Sequence, residues 1–348
     1  MEKKLLKAAG VFIGILILVF VVDWGRDSIQ GIQKGSVEGV KTTEVQNSTD
    51  TISSITIMTL NAKLLWDGVL PEEGRLEFPW KGDETKAREH MKKVAEIIRK
   101  ENPDIVNLVE VENINALNTF NNTFLKDLGY YPYLVNGRDT YTGQDVALLT
   151  KIIPEGGKIY RDDREGISAD TEKSVSKNYY AYFNINDMRF VLIGIHFLAE
   201  PLNTARINER QAQADAIRSL AIEFWNKGYQ VVIAGDFNDF DDDAKSLDHI
   251  GSTPITNVLA NMRAMDSGIL ADDLTNIASF IPKPERYTAF YDKNSNGKID
   301  APKELTSIDH ILLSSGLASR VTSAEIAHTY DPKDVSDHFP VVAQLRIQ

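Results

Sequence analysis

Eight polar residues share one kind of position in this sequence. Asn61 follows the apolar-alternating run Ile55 to Leu60, and Glu110 ends the run that starts at Asp104. His196 follows Val191 to Ile195, while Asp236 and Asn238 follow Val231 to Gly235. Asp309 lies inside a strand-like run, and Asp337 and His338 precede the last one. A strand end holds a side chain rigidly yet leaves it open to a ligand. Taken singly, an Asp before a loop is usually a cap or a turn residue. This many acids, amides and histidines placed alike in one body are hard to explain as capping.

Their types fit one kind of chemistry. Glu110 and Asp337 are hard oxygen donors suited to Mg²⁺ or Mn²⁺. Asn61 and Asn238 offer a neutral oxygen to a metal or an amide N–H to a phosphate. A histidine such as His338 can titrate near neutral pH, as a general base should, and Asp309 could hold it in the correct tautomer. No Ser or Cys stands in a nucleophile motif, no glycine-rich phosphate loop is present, and the chain has no cysteine.

The elements that must position these residues can be read from periodicity. Strands are predicted over residues 55–60, 104–110, 145–149, 180–185, 189–196, 231–234, 307–313 and 340–347. Met91, Val94, Ala95 and Ile98 at helical spacing predict a helix over 86–101, stopped by Pro103, and a longer helix is predicted over 205–227. No repeat and no second linker appears, so residues 55–348 read as one α/β or α+β domain.

The N-terminus reads differently. Lys3, Lys4 and Lys7 precede the uncharged stretch Ala8 to Val22. Residues 5–22 are therefore expected to form an uncleaved signal anchor, a single transmembrane helix, with the body outside the cytoplasm. A cleaved signal peptide is the plainer reading of the same pattern, but no small-x-small site follows Val22. Residues 23–54 are polar, rich in Ser, Thr, Gly, Gln and Asn, and are expected to form a flexible tether.

The formal net charge is −12, and the first 54 residues carry as many acidic as basic side chains, so the excess lies in the body. Such a body does not grip nucleic-acid phosphates indiscriminately. It does not exclude action on nucleic acid, because a bound divalent cation can dominate a site locally.

The residues also carry a family resemblance. Leu60-Asn61, Val109-Glu110-Val111-Glu112-Asn113, Gly194-Ile195-His196, Gly235-Asp236-Phe237-Asn238, the run Ser307 to Ser314 around Asp309, and Ser336-Asp337-His338-Phe339-Pro340 resemble, in order, the motifs of the endonuclease/exonuclease/phosphatase superfamily. This is the DNase I-like fold, and the resemblance covers about 55–348. It implies a four-layer α/β/β/α sandwich and a Mg²⁺-dependent phosphodiester hydrolase. It implies that Asn61, Glu110 and Asp337 coordinate the metal, that His338 activates water, and that Asp309 orients it. Asp236 and Asn238 would bind and polarise the phosphate; Asp236 has an alternative role as proton donor or metal ligand. His196 would contact the phosphate.

The resemblance is not complete. No glutamate stands near Leu134 to Gly137 to support His196, and Lys63 occupies the place where abasic-site enzymes carry an acid. The inositol-phosphatase motifs are absent. Within the superfamily the chain looks most like bacterial extracellular nucleases, with nucleic acid as the expected substrate. A sphingomyelinase-like lipid phosphodiesterase is the first alternative, for which the Trp66 to Trp80 segment would supply a membrane-facing aromatic hairpin. An inactive binding adaptor is the second. Separately, Asp292, Asn294, Asn296, Gly297 and Asp300 follow the spacing of a Ca²⁺ loop, although Lys303 stands where the bidentate Glu belongs. A structural Ca²⁺ is the functional reading there, and a polar hairpin insertion the plain one.

Overall fold

A computed structural model describes residues 33–34, 52–70, 80–134, 142–158, 175, 177–242, 256–265 and 273–348. The expected anchor at 5–22 lies outside the described residues. Among those described, no helix is long and apolar enough to cross a membrane.

In chain order the strands are β1 (Gln33–Lys34), β2 (Ser54–Leu65), β3 (Ile105–Val111), β4 (Tyr131–Leu134), β5 (Asp145–Thr150), β6 (Gly156–Lys158), β7 (Asn178–Ile185), β8 (Met188–His196), β9 (Gln230–Asp236), β10 (Thr275–Asn276), β11 (Ala289–Phe290), β12 (Leu305–Thr306), β13 (Asp309–Leu313), β14 (Val321–Ile326) and β15 (Val341–Arg346). The helices used below are α1 (Glu84–Glu101), α2 (Ile114–Phe120) and α3 (Ile207–Asn226). One sheet runs β1-β4-β5-β3-β2-β15-β14, the other β10-β13-β9-β8-β7-β6, and β11 and β12 form a separate hairpin. β1 falls inside the stretch expected to be a tether and pairs with Leu134 and Tyr133 at the edge of the first sheet.

Alternation along the strands builds the layers. Ile57, Ile105 and Val109 of the first sheet meet Phe183, Leu192, Val232 and Ile311 of the second in one buried core. The opposite faces, Met58, Leu60, Val106 and Leu108, are covered by Met91, Val94 and Ile98 of α1. Val191, Ile193, Val231 and Ile233 are covered by Ile217, Leu220 and Phe224 of α3. The result is the expected α/β/β/α stack. α1 starts where Asp83 accepts the Lys86 N–H at 3.1 Å, and it ends at Asn102, whose φ of 47° breaks the helix ahead of Pro103.

Two β-α-β units place the chemistry. β2 and β3 are parallel neighbours joined through α1, and β8 and β9 are parallel neighbours joined through α3. Their C-terminal ends therefore open at one edge of the sandwich, one unit from each sheet. β13 runs antiparallel to β9 with Asp309 opposite Asp236, and β15 runs antiparallel to β2.

Candidate active site

The strands carrying the site end irregularly. The β2–β3 pairing shifts register between Asn61 and Leu65, and the β3–β5 pairing shifts between Val109 and Val111, so Glu110 sits on a bulge. Lys63, Leu64, Glu110 and Asn238 all have positive φ, at 50°, 64°, 63° and 47°. Such conformations cost free energy in non-glycine residues and re-aim side chains out of the sheet. Gly235, with φ of 152°, precedes Asp236 because a Cβ there would lie 2.0 Å from the Ile195 carbonyl oxygen.

The eight residues singled out in the sequence converge. The Asn61 amide donates to Asp236 Oδ2 at 3.2 Å and to Glu110 Oε1 at 3.3 Å. Asp236 Oδ2 also lies 3.7 Å from His196 Nε2 and 4.0 Å from His338 Nε2. His338 Nδ1 is 2.8 Å from Asp309 Oδ2. Glu110 Oε2 accepts the Leu64 N–H at 3.2 Å. Asn238 donates its backbone N–H to Asp236 Oδ1 and its side-chain N–H to the Phe197 carbonyl, at 2.8 and 3.1 Å. Asp337 is paired to Lys63 Nζ at 3.3 Å.

Charge crowding governs protonation. Burial pushes the Glu110 carboxyl up from its ordinary value, and the nearby Asp337 adds to this. Burial and the neighbouring Asp309 push Asp236 up. Burial alone would lower His338, but Asp309, Asp236 and Asp337 outweigh it and hold the imidazole well above its usual value. His196 is held well below its usual value by burial, with Lys177 and His338 adding to the effect. Its Nδ1 has no hydrogen-bond partner among the described residues.

A divalent cation fits this donor set. Glu110 lies beside the Asn61 amide, and its negative charge is disfavoured by burial and by the nearby Asp337. Asp309 Oδ1 is buried with no hydrogen-bond partner among the described residues. The tightest group among the described residues is Asp236, Asp309 and His338, whose ligand atoms all lie within 4.8 Å. There the Asp309–His338 hydrogen bond already gives two members a proton-handling geometry, and Asp236 is the member hydrogen-bonded to Asn61.

Several supporting residues carried no sequence signal for their task. Thr288 Oγ1 accepts the N–H groups of both Ile308 and Asp309 at 2.9 Å. Ser336 Oγ donates to the Asn61 carbonyl at 2.7 Å and accepts the His338 N–H at 3.1 Å. Tyr330 donates its hydroxyl proton to the His338 carbonyl oxygen. Arg210 and Asp239 form a fully buried ion pair at 2.7 Å directly behind Asn238.

His310 is structural. It is buried between the Asn276 amide at Nδ1 and the Asp239 carbonyl at Nε2, both at 3.0 Å. Asn113 caps α2 through the N–H groups of Asn115 and Ala116. Trp66 is fully buried and Trp80 is half-buried and stacks on His90 at 4.7 Å, while residues 71–79 of the hairpin considered for membrane contact lie outside the described residues. In the 292–300 loop, Asp292 accepts the N–H groups of Asn296 and Gly297, and Asp300 accepts the amides of Asn294 and Asn296. The four residues are gathered, with their hydrogen bonds made to one another and to the backbone.

Solved structures share this architecture. A 3′-5′ exonuclease from Neisseria meningitidis superposes with TM-score 0.59 at 17% identity, covering 84% of this chain and 100% of its own. A Neisseria 3′ phosphatase bound to a product DNA hairpin gives 0.58 at 17%, covering 84% and 99%. Truncated TDP2 from Caenorhabditis elegans gives 0.54 at 16%, covering 84% and 98%. No curated protein matches the chain. The sequence profile of the Endonuclease/Exonuclease/phosphatase family matches residues 58–338, from β2 through His338, and the chain belongs to that family.

Proposed function

We propose that this chain is a divalent-metal-dependent nuclease that hydrolyses phosphodiesters by direct attack of water. The observation that carries the reading is the His338–Asp309 pair at 2.8 Å, facing the cluster of Asn61, Glu110, Asp236 and Asp337. Glu110 and Asp337, with Asn61, would hold Mg²⁺ or Mn²⁺, which neutralises charge on the bound phosphate and acidifies water. Asp309 accepts the Nδ1–H of His338, leaving Nε2 to take the proton of the attacking water. The acid cluster holds His338 well above its usual value, with Asp309 the largest cause; a cation held by Glu110 and Asp337 would offset part of that pull. His196 and Asn238 would contact phosphate oxygens, and Asp236, raised by burial, is suited to give a proton to the leaving oxygen.

Nucleic acid is favoured over lipid because two of the similar structures are described as an exonuclease and as a phosphatase bound to DNA. The lysine-flanked stretch Ala8 to Val22 supports membrane anchoring with the body outside the cytoplasm. Incubating the purified protein with plasmid DNA, RNA and sphingomyelin vesicles, with Mg²⁺ or with a chelator, tests the reading. Chelator-sensitive cleavage of a nucleic acid is expected. Hydrolysis of sphingomyelin alone, or of nothing, would refute it. Fractionation with protease protection of intact cells tests the location.

A further inference from the structure

A cavity of about 540 Å³ opens beside the reacting groups. It ends at Asp337 and His338, and its walls come from two segments with no catalytic role: the turn holding Leu202 and Asn203, and the β11 end holding Phe290 and Tyr291. Phe290 is buried, whereas Tyr291 is 66% exposed and Leu202 is 44% exposed. Ile308 closes the side nearest Asp309, and Lys293 stands exposed at the rim.

Both walls are fixed to the catalytic frame. The Phe290 N–H donates to the Asp337 carbonyl at 2.7 Å, and Ala289 bridges His338 across an isolated β-pair. On the other side, fully buried Arg210 donates to the carbonyls of Glu200 and Pro201, each at 3.3 Å, while its Nε holds Asp239 at 2.7 Å. Glu200 carries φ of 69°, a conformation that the Arg210 clamp helps to hold. Exposed apolar side chains on rigid walls facing one cleft are a built surface rather than a chance one.

We propose that this cavity is a subsite for the nucleobase attached to one side of the scissile phosphate, with Tyr291 and Leu202 as its stacking contacts. The assignment rests on the nuclease reading above. Whatever fills a cavity that ends on Asp337 and His338 is joined to the phosphate those residues handle. A planar base matches the Tyr291 ring and the Leu202 face, because stacking needs flat apolar surface and tolerates any base. The Lys293 ammonium at the rim suits the next phosphate along the strand. A long acyl chain matches less well, since Lys293 and Thr306 interrupt the apolar lining.

The test uses a short single-stranded oligonucleotide with one cleavable diester, all other linkages being methylphosphonates. The base on one flank, then on the other, is replaced by a base-free tetrahydrofuran. For the full chain, removing the base on one flank should lower kcat/KM on the order of tenfold, the range of one stacking contact. In Tyr291→Ala and in Leu202→Ala the ratio between base-containing and base-free substrates should fall towards one, mainly through KM. Tyr291→Phe should keep the ratio. Equal cleavage of all substrates by the unaltered protein overturns the subsite and leaves the nuclease reading standing. Ratios unchanged in both alanine variants do the same. Absence of any oligonucleotide cleavage together with turnover of sphingomyelin vesicles overturns both.

Discussion

Asn61 and Asp236 come from different sheets and are joined by a 3.2 Å hydrogen bond from the Asn61 amide to Asp236 Oδ2. The same amide nitrogen reaches Glu110 at 3.3 Å, so one side chain ties the two halves of the site together across the core. Both of its partners are carboxyls that burial disfavours as anions. An N–H donor between them stabilises charge that is otherwise costly. Asn61→Asp replaces that donor with a third anion and should lower stability by about 1–3 kcal/mol, read from urea unfolding. Asn61→Ala should weaken Mn²⁺ binding by about 10- to 100-fold, read by titration calorimetry. An Asn61→Asp protein as stable as the unaltered chain would show that the amide does not bridge the carboxyls.

Replacing His338 by Ala removes the proposed base and leaves Glu110 and Asp337 in place. Turnover on the preferred nucleic acid should fall by about 10²–10⁴-fold with little change in Mn²⁺ affinity. Asp309→Asn keeps the ring but removes the charge that orients it, so its loss should be smaller. Near-normal turnover by His338→Ala would remove this residue from the chemistry.

Glu110→Gln should act on the metal instead. Apparent Mg²⁺ affinity should drop, and high Mg²⁺ should partly restore turnover. Activity that stays low at every Mg²⁺ concentration, with unchanged Mn²⁺ binding, would mean Glu110 is no ligand.

Lys63 competes for Asp337 in the absence of a cation, with its ammonium 3.3 Å from Oδ2. Both side chains are over one-third exposed, so the pair is worth only about 0.2–1 kcal/mol. Lys63→Ala should therefore tighten metal binding by no more than about fivefold. Weaker binding in this variant would show that Lys63 helps hold Asp337 in place for the metal rather than opposing it.

Much of the candidate site was legible in the sequence because Asn61, Glu110, His196 and Asp236 end apolar runs, and apolar runs report strands. The layer pattern followed for the same reason: Met58 and Ile57, or Val231 and Val232, alternate between faces. What was illegible depends on contacts between residues far apart in the chain. Thr288 and Ser336 act through hydrogen bonds to backbone groups 20 and 275 residues away, and a lone hydroxyl residue signals neither. β14 escaped because Thr322, Ser323 and Glu325 of this edge strand face solvent, which leaves too few apolar positions to show a period. Trp66 looked available to a membrane because adjacent sequence cannot show that it is buried.

The last prediction concerns acid sensitivity close to the site. His90 of α1 is buried, stacks on Trp80, and donates Nε2–H to the Ala62 carbonyl at 2.8 Å, next to Asn61. Burial lowers its pKa from 6.5 to about 4, so the folded protein keeps it neutral where the unfolded chain takes up a proton. Its contribution to stability is intact above pH 6.5 and is lost as the pH falls from there to about 4. The full loss is roughly 3 kcal/mol at most. Glu110 and Asp236 act in the opposite sense, because their raised values favour the folded state as they protonate. The difference between His90→Gln and the unaltered chain isolates the histidine. Gln can still donate to Ala62 but cannot be protonated, so the gap in urea midpoint between the two proteins should shift in favour of the variant from pH 7 to pH 4.5. A gap that stays constant over that interval would show that His90 is not the group that titrates.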